Sequence, residues 1–254
     1  MTLETIHIAT DPRGIATLTL ARPEKHNAIS AQMMAEINDT CAAINADDTI
    51  RAGNLRAEGE AFCAGGDLDW MREQVAADRA GKIAQASVLS NMLNALDTLN
   101  KPLIGIVQGN AFGGGLGLMA VCDIVIAKPN LKFAFTETKL GLIPATIGPF
   151  VLRRMGEKYA RQVFISAKTF NTEFAQTCGL VSITTDDPDA ALETEINAIL
   201  ATQPNAASMA KALLQTLRAA DTKNEITTSI NALADCWQGD EAQQQISAFL
   251  KGKS

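Results

Sequence analysis

Histidine is nearly missing from this chain of 254 residues: His7 and His26 are the only two, and neither sits in a nucleophile or ligand pattern. Ser-His-Asp hydrolysis and zinc chemistry are therefore set aside, and no metal is expected. A basic excess is also lacking. With 22 Lys and Arg against 28 Asp and Glu, a formal net charge of −6 and a pI near 5.0, little draws the chain to phosphate backbones or anionic membranes. Neither nucleic acid nor membrane is expected as a partner, although a local basic patch could still hold one phosphorylated ligand. No apolar run approaches membrane-spanning length, and Met1 to His7 lacks a basic region followed by an apolar core, so a cytoplasmic location is expected. Five scattered cysteines, Cys41, Cys63, Cys122, Cys178 and Cys236, fit neither a disulfide framework nor a Cys-x-x-Cys site, and free thiols are expected.

What is present suits a soluble α/β protein. An apolar content of 47% with 20% charged residues can fill a sizeable core in one large domain, with or without a small appendage. Ile15 to Leu20 alternates branched and small residues as a strand does, and Ser30 stands where it can cap an amphipathic helix carrying Met33, Met34, Ile37 and Ile44. A second strand is expected from Thr49 to Ala57, although Gly53-Asn54 in its middle is poor strand sequence. Lys82 to Asn100 has apolar residues near helical spacing, and Pro102 then leads into the strand Leu103 to Val107. Beyond Pro188 only helices are expected: Asp189 to Thr202, Pro204 to Ala220, Thr222 to Trp237 and Asp240 to Lys251.

Two glycine-rich turns carry the chemistry. Ala61-Phe62-Cys63-Ala64-Gly65-Gly66-Asp67-Leu68 and Gly109-Asn110-Ala111-Phe112-Gly113-Gly114-Gly115-Leu116-Gly117 each follow an apolar strand-like stretch, and the second leads into a helix-compatible segment, Leu116 to Val121. Glycine permits positive φ and removes the side chain that would block close approach. Two such turns can therefore converge backbone N–H groups on one oxygen and hold the negative charge it develops. A rival reading takes Gly115-Leu116-Gly117-Leu118-Met119-Ala120 as a dinucleotide fingerprint with Glu137 downstream. That pattern stands too far from the strand ending at Val107, and it leaves the first turn unexplained.

The wording of these segments, with Cys122-Asp123-Ile124-Val125-Ile126-Ala127, Phe135-Thr136-Glu137-Thr138-Lys139-Leu140-Gly141-Leu142-Ile143-Pro144 and the opening Arg22-Pro23-Glu24-Lys25-His26-Asn27-Ala28-Ile29, resembles the crotonase, or enoyl-CoA hydratase/isomerase, family over nearly the whole chain. The resemblance implies an α/β fold, a crotonase-like ββα spiral at 1–195 followed by a C-terminal helical oligomerisation region at 196–254, and a homotrimer or homohexamer. It implies an acyl-CoA substrate in which coenzyme A is a handle and not a separate cofactor. Gly66 and Gly114 match the oxyanion-hole donors, and Glu137 the catalytic glutamate. Lys25, His26, Ala64, Asp67, Leu68, Gly117 and Phe249 match substrate-binding positions, and Trp70, Met71 and Arg72 stand where they could close the acyl pocket.

One departure bears on the reaction. Typical hydratases of the family carry a second glutamate where this chain has Gly117. A single carboxyl suffices to move a double bond, which favours an isomerase. The segments around Gly117 and Gly141 to Phe150, however, are similar to bacterial members described as methylglutaconyl-CoA or carboxygeranoyl-CoA hydratases, which also carry glycine there. Hydration is the leading expectation, possible substrates including 3-methylglutaconyl-CoA. A non-catalytic scaffold or RNA-binding module on the same fold is the remaining alternative, disfavoured by the acidic pI and by Glu137 beside an intact pair of donors.

Overall fold

The computed structural model describes residues 3–76, 78–140 and 142–218. Its opening follows from local pattern: β1 (Ile6–Thr10) pairs antiparallel with β2 (Ile15–Leu20), and α1 (Ala31–Ala46) starts where Ser30 Oγ accepts the Met33 N–H at 3.2 Å. The cap satisfies one of the N–H groups that a helix start leaves without a partner. Met33, Met34, Ile37, Cys41 and Ile44 form the buried face of α1, as the spacing predicts.

β3 (Ala52–Ala57) begins later than expected but does run through Gly53-Asn54. It is a central strand, parallel to β2 on one side and to β5 (Leu103–Val107) on the other. The Gly53 N–H donates to Pro102 O at 2.8 Å, and a Cβ on Gly53 would come within 3.1 Å of Leu103 Cδ1. Close strand packing overrides the weak local propensity here.

From β3 onward the chain repeats one motif. β3 is followed by β4 (Ala61–Cys63) and the helices α2 (Leu68–Ala76) and α3 (Arg79–Asp97). β5 is followed by β6 (Asn110–Phe112) and α4 (Gly114–Ala120); β7 (Ile124–Ala127) is followed by β8 (Lys132–Ala134), a 3₁₀ turn at Glu137–Leu140, α5 (Gly148–Met155) and α6 (Glu157–Phe164). β9 (Phe170–Asn171), α7 (Thr172–Thr177), β10 (Ile183–Thr184), α8 (Pro188–Leu200) and α9 (Pro204–Leu217) complete the described chain. Each turn lays one strand in each of two sheets, ordered β1-β2-β3-β5-β7-β10 and β4-β6-β8-β9. Pairing is parallel except at β1/β2 and β8/β9. This is a ββα spiral built without a visible sequence repeat.

β5 is buried along its whole length because both faces are covered. Leu103 and Val107 belong to the main core with α1 and α3, whereas Ile104 and Ile106 join Ile15, Ala52 and Ile126 in a second core closed by Leu192 and Ile196 of α8. Residue 195, the expected division, thus falls inside a helix that seals the larger sheet. α9 is tied to the body by Lys211, whose Nζ lies 2.6 Å from Asp123 Oδ2 and 3.0 Å from Lys101 O. Cys41, Cys63, Cys122 and Cys178 are free and buried. Among the described residues, no helix is long and apolar enough to cross a membrane. The expected helices Thr222 to Trp237 and Asp240 to Lys251, together with Cys236 and Phe249, lie outside the described residues.

Candidate active site

The first glycine turn forms where β4 ends. Gly65 adopts φ +95°, a value costly for any residue with a Cβ, and its carbonyl accepts the Ile29 N–H at 2.7 Å while the Asp67 N–H donates to Ile29 O at 3.0 Å. Gly66 is thereby held between two hydrogen bonds to Ile29, its own N–H left over. The second turn forms where β6 ends. Gly113 takes φ +48° and donates to Ala134 O at 3.0 Å, and α4 starts at Gly114. The two turns touch: a Cβ on Gly65 would come within 3.1 Å of Phe112 O and 3.7 Å of Gly114 N. Neither the Gly66 nor the Gly114 N–H has an acceptor among the described residues.

Glu137 opens the 3₁₀ turn after β8 and lies against the second glycine turn, where a Cβ on Gly113 would come within 3.3 Å of Oε1. Its Oε2 is buried with no hydrogen-bond partner among the described residues. Burial pushes the carboxyl above its ordinary range, only partly offset by its own backbone N–H. A carboxyl of raised pKa with one oxygen unpartnered is suited to exchanging protons.

A cavity of about 520 Å³ opens at this point, lined by Ala64, Gly66, Leu68, Gly114 and Glu137 of the expected site residues. Trp70 and Met71 line it as well, and Trp70 Nε1 donates to Gln85 Oε1 at 3.1 Å, tying α2 to α3. Arg72 instead pairs with Asp69 at the exposed surface. Part of the remaining lining was not anticipated, notably Ala86 and Leu89 from α3 and the stretch Leu142 to Ile147. Helical spacing in α3 and the apolar run before Gly148 were the signals, but neither says which side faces a ligand. Among the described residues the lining includes no Lys, Arg or His.

Four expected substrate-binding residues do not line the cavity. Lys25 and His26 are exposed, with His26 O accepting the N–H of the lining residue Ala64 at 2.9 Å. Asp67 is engaged within the protein: its N–H is taken by Ile29 O, one carboxylate oxygen accepts the Asp69 N–H at 2.9 Å, and the other is 2.9 Å from Arg22 Nη2. Burial favours the protonated form of Asp67, but the Asp69 N–H and the Arg22 guanidinium outweigh it and hold the carboxyl below its usual range. Gly117 likewise stands off the lining. It is buried in α4, and a Cβ there would come within 2.7 Å of Ile147 Cγ2 and 3.2 Å of Leu93 Cδ1. Ile147 and Leu93 thus close the space beside Gly117. The dinucleotide reading also loses its basis, because β6 stands between Val107 and the glycines, and Gly115 to Ala120 is buried.

Stacked ββα turns whose two glycine-rich corners meet at one cleft are the architecture of the crotonase fold. Residues 10–253 match the family model described as "Enoyl-CoA hydratase/isomerase". An enoyl-CoA hydratase structure from Shewanella pealeana superposes with a TM-score of 0.94 at 34% identity, covering 98% of this chain and 94% of that one. "Probable enoyl-CoA hydratase echA8" of Mycobacterium bovis is 32% identical over 214 residues, 83% of this chain and 81% of the relative. "Enoyl-CoA hydratase AKT6-1" of Alternaria alternata is 26% identical over 243 residues, 94% of this chain and 80% of the relative. The chain belongs to the enoyl-CoA hydratase/isomerase family, and it is an enzyme.

Proposed function

We propose that the protein is a hydro-lyase that adds water across the 2,3 bond of an enoyl-CoA thioester, or removes it, using one glutamate. The observation that carries this reading is that Glu137, its Oε2 buried and unpartnered, lines one cavity with Gly66 and Gly114, whose N–H groups have no acceptor among the described residues. A thioester oxygen placed between the two N–H groups gains negative charge as water adds at C3, and fixed donors stabilise that enolate without reorganising. Glu137 takes a proton from the attacking water while the water oxygen bonds C3. The π electrons move through C2 to the thioester oxygen. The enolate then collapses and C2 takes the proton back from Glu137, so one H and one OH are added in all.

Coenzyme A is part of the substrate in this scheme and no separate cofactor takes part. Its arm would run past the Ala64 carbonyl and Leu68 toward Lys25 and His26. Apolar lining supports an uncharged acyl chain, branched or straight; the distal carboxylate of 3-methylglutaconyl-CoA would meet no cation among the described lining residues. We place the enzyme in the cytoplasm, with a spiral core that includes all of α8, inside which the expected division at residue 195 falls, and with the helical region beyond α8 assembling a homotrimer or homohexamer.

The single carboxyl, with Ile147 packed over Gly117, favours one second reading: a Δ3,Δ2-enoyl-CoA isomerase in which Glu137 carries a proton from C2 to C4. The two are separated by comparing wild type and Glu137→Gln on crotonyl-CoA, 3-methylcrotonyl-CoA and 3-methylglutaconyl-CoA, with a 3-enoyl-CoA in parallel. Loss of the conjugated absorbance that vanishes in the variant supports hydration. Absorbance that appears only from the 3-enoyl-CoA establishes isomerisation, and silence on every substrate overturns both.

A further inference from the structure

We infer that Arg22, acting through Asp67, is a positioning residue that aims the Gly66 N–H at the substrate oxygen. This rests on the oxyanion reading of Gly66 given above. Arg22 lies outside the cavity and touches nothing in it, yet its contacts converge on the turn that carries Gly66. Nη1 donates to Ala28 O at 2.8 Å, and Nη2 lies 2.9 Å from Asp67 Oδ2. The pair is largely withdrawn from water, with side-chain exposures of 17% for Arg22 and 8% for Asp67. Ala28 and Asp67 are not arbitrary anchors. Ile29, which follows Ala28, accepts the Asp67 N–H and donates to Gly65 O, so the two ends of the guanidinium hold the two short segments that pair at the Ile29–Gly66 bridge.

The loop beneath is fixed from its other side. Asn27 Oδ1 accepts the Arg22 N–H at 2.9 Å, and Asn27 Nδ2 donates to Glu58 O at 2.8 Å and Ala61 O at 3.0 Å. His26 and Asn27 both have positive φ, 50° and 53°, an arrangement that residues with a Cβ adopt only when their surroundings hold them there. With Asn27 fixing the base and Arg22 spanning its top, the remaining freedom of the Gly66 peptide is its tilt, which the Arg22–Asp67 contact limits. A planar guanidinium reaches both acceptors at once, whereas a lysine ammonium, a point charge on a flexible stem, lacks that fork.

The test reads carbonyl polarisation and turnover separately. Hexa-2,4-dienoyl-CoA has an absorbance band that moves to longer wavelength when its thioester carbonyl is polarised, so its shift on binding reports the donors directly. Wild type is expected to shift the band. Folded Arg22→Gln is expected to lose most of that shift and about 10- to 100-fold in kcat, while KM stays within about threefold, the pattern of a misaimed group and not of a lost binding contact. Arg22→Lys should recover part of both. Asp67→Asn, which keeps the Asp69 contact through its amide oxygen, should lose part of the shift, and the double variant should be no worse than Arg22→Gln alone. Should Arg22→Gln not fold, Arg22→Lys and Asp67→Asn carry the test. Variants with a lowered melting temperature but an undiminished band shift and kcat would overturn the inference and leave Arg22 a structural residue only. A wild type that binds the dienoyl thioester with no shift would overturn the oxyanion reading itself, and this inference with it.

Discussion

Glu137 and Glu36 show how opposite surroundings set opposite duties for one residue type. Burial raises the Glu137 carboxyl, and the base in the proposed reaction is its ionised form. The acid limb of kcat/KM should therefore fall above the ordinary glutamate range. The same shift has a stability consequence of definite sign: a folded-state pKa raised above the unfolded one contributes stability that is complete below the unfolded value and lost as pH rises through the folded value. Glu137→Gln should accordingly lose about 10²- to 10⁴-fold in turnover yet melt no lower than wild type at neutral pH, and melting curves across pH check it. Glu36 behaves the other way. Burial pushes it up, but the Thr5 hydroxyl, the Glu4 and Thr5 N–H groups and Gln32 outweigh that and hold it below its usual range. Its contribution is present above the unfolded pKa and is lost as pH falls through the folded one. Glu36→Gln should cost about 1–3 kcal/mol at neutral pH, and the difference should shrink in acid when denaturation is followed from pH 7 to pH 3.

At the scale of elements, the α4 helix is pressed against its neighbours at its glycines. A Cβ on Gly115 would come within 2.7 Å of Cys63 O, and one on Gly117 within 2.7 Å of Ile147 Cγ2. Backbone crowds the first, whereas a side chain crowds the second, and a side chain can be trimmed. Gly117→Ala should destabilise by about 1–3 kcal/mol through overpacking, and Ile147→Ala should relieve part of that cost when the two are combined. Additive losses in chemical denaturation would mean that Ile147 is not what excludes a side chain at Gly117. The α9 helix supplies the other element-scale prediction. Lys211 is buried and its ammonium meets Asp123, which also accepts the Leu103 N–H at 2.7 Å. Removing the cation by Lys211→Met should cost about 1–3 kcal/mol, less than a fully buried pair because Asp123 is partly exposed.

For the whole molecule, the second core explains why α8 cannot be a detachable tail: Leu192 and Ile196 close one face of the six-stranded sheet. Past α8 the texture changes, and Leu214 on α9 is 68% exposed. The proposal that the region past α8 assembles copies of the chain is read most directly from mass in solution. A chain of 27.0 kDa should then give a light-scattering mass of about 81 kDa for a trimer or about 162 kDa for a hexamer, and a monomer at micromolar concentration would remove that proposal.

Local chemistry carried much of this without any coordinates. Ser30 capping, the alternation in Ile15–Leu20 and the two glycine turns were legible because each depends on residues close in sequence. Glu137, Gly66 and Gly114 were legible because the motif wording is specific, and the structure brings all three to one cavity. Strand β3 was expected, but its start was set three residues early, because its Gly53-Asn54 core is held by neighbouring strands and not by propensity; Asn54 is only 2% exposed. The surroundings of Asp67 and Gly117 were not legible for a related reason, since Arg22 and Ile147, which decide what those residues can touch, are remote in the chain. Sequence alone determined which residues form turns, caps and apolar faces, together with the family they belong to. Tertiary structure alone decided which backbone N–H groups were left without partners, which carboxylate lost its water and which was tied by a guanidinium, because burial and pairing belong to the packed chain and to no single segment of it.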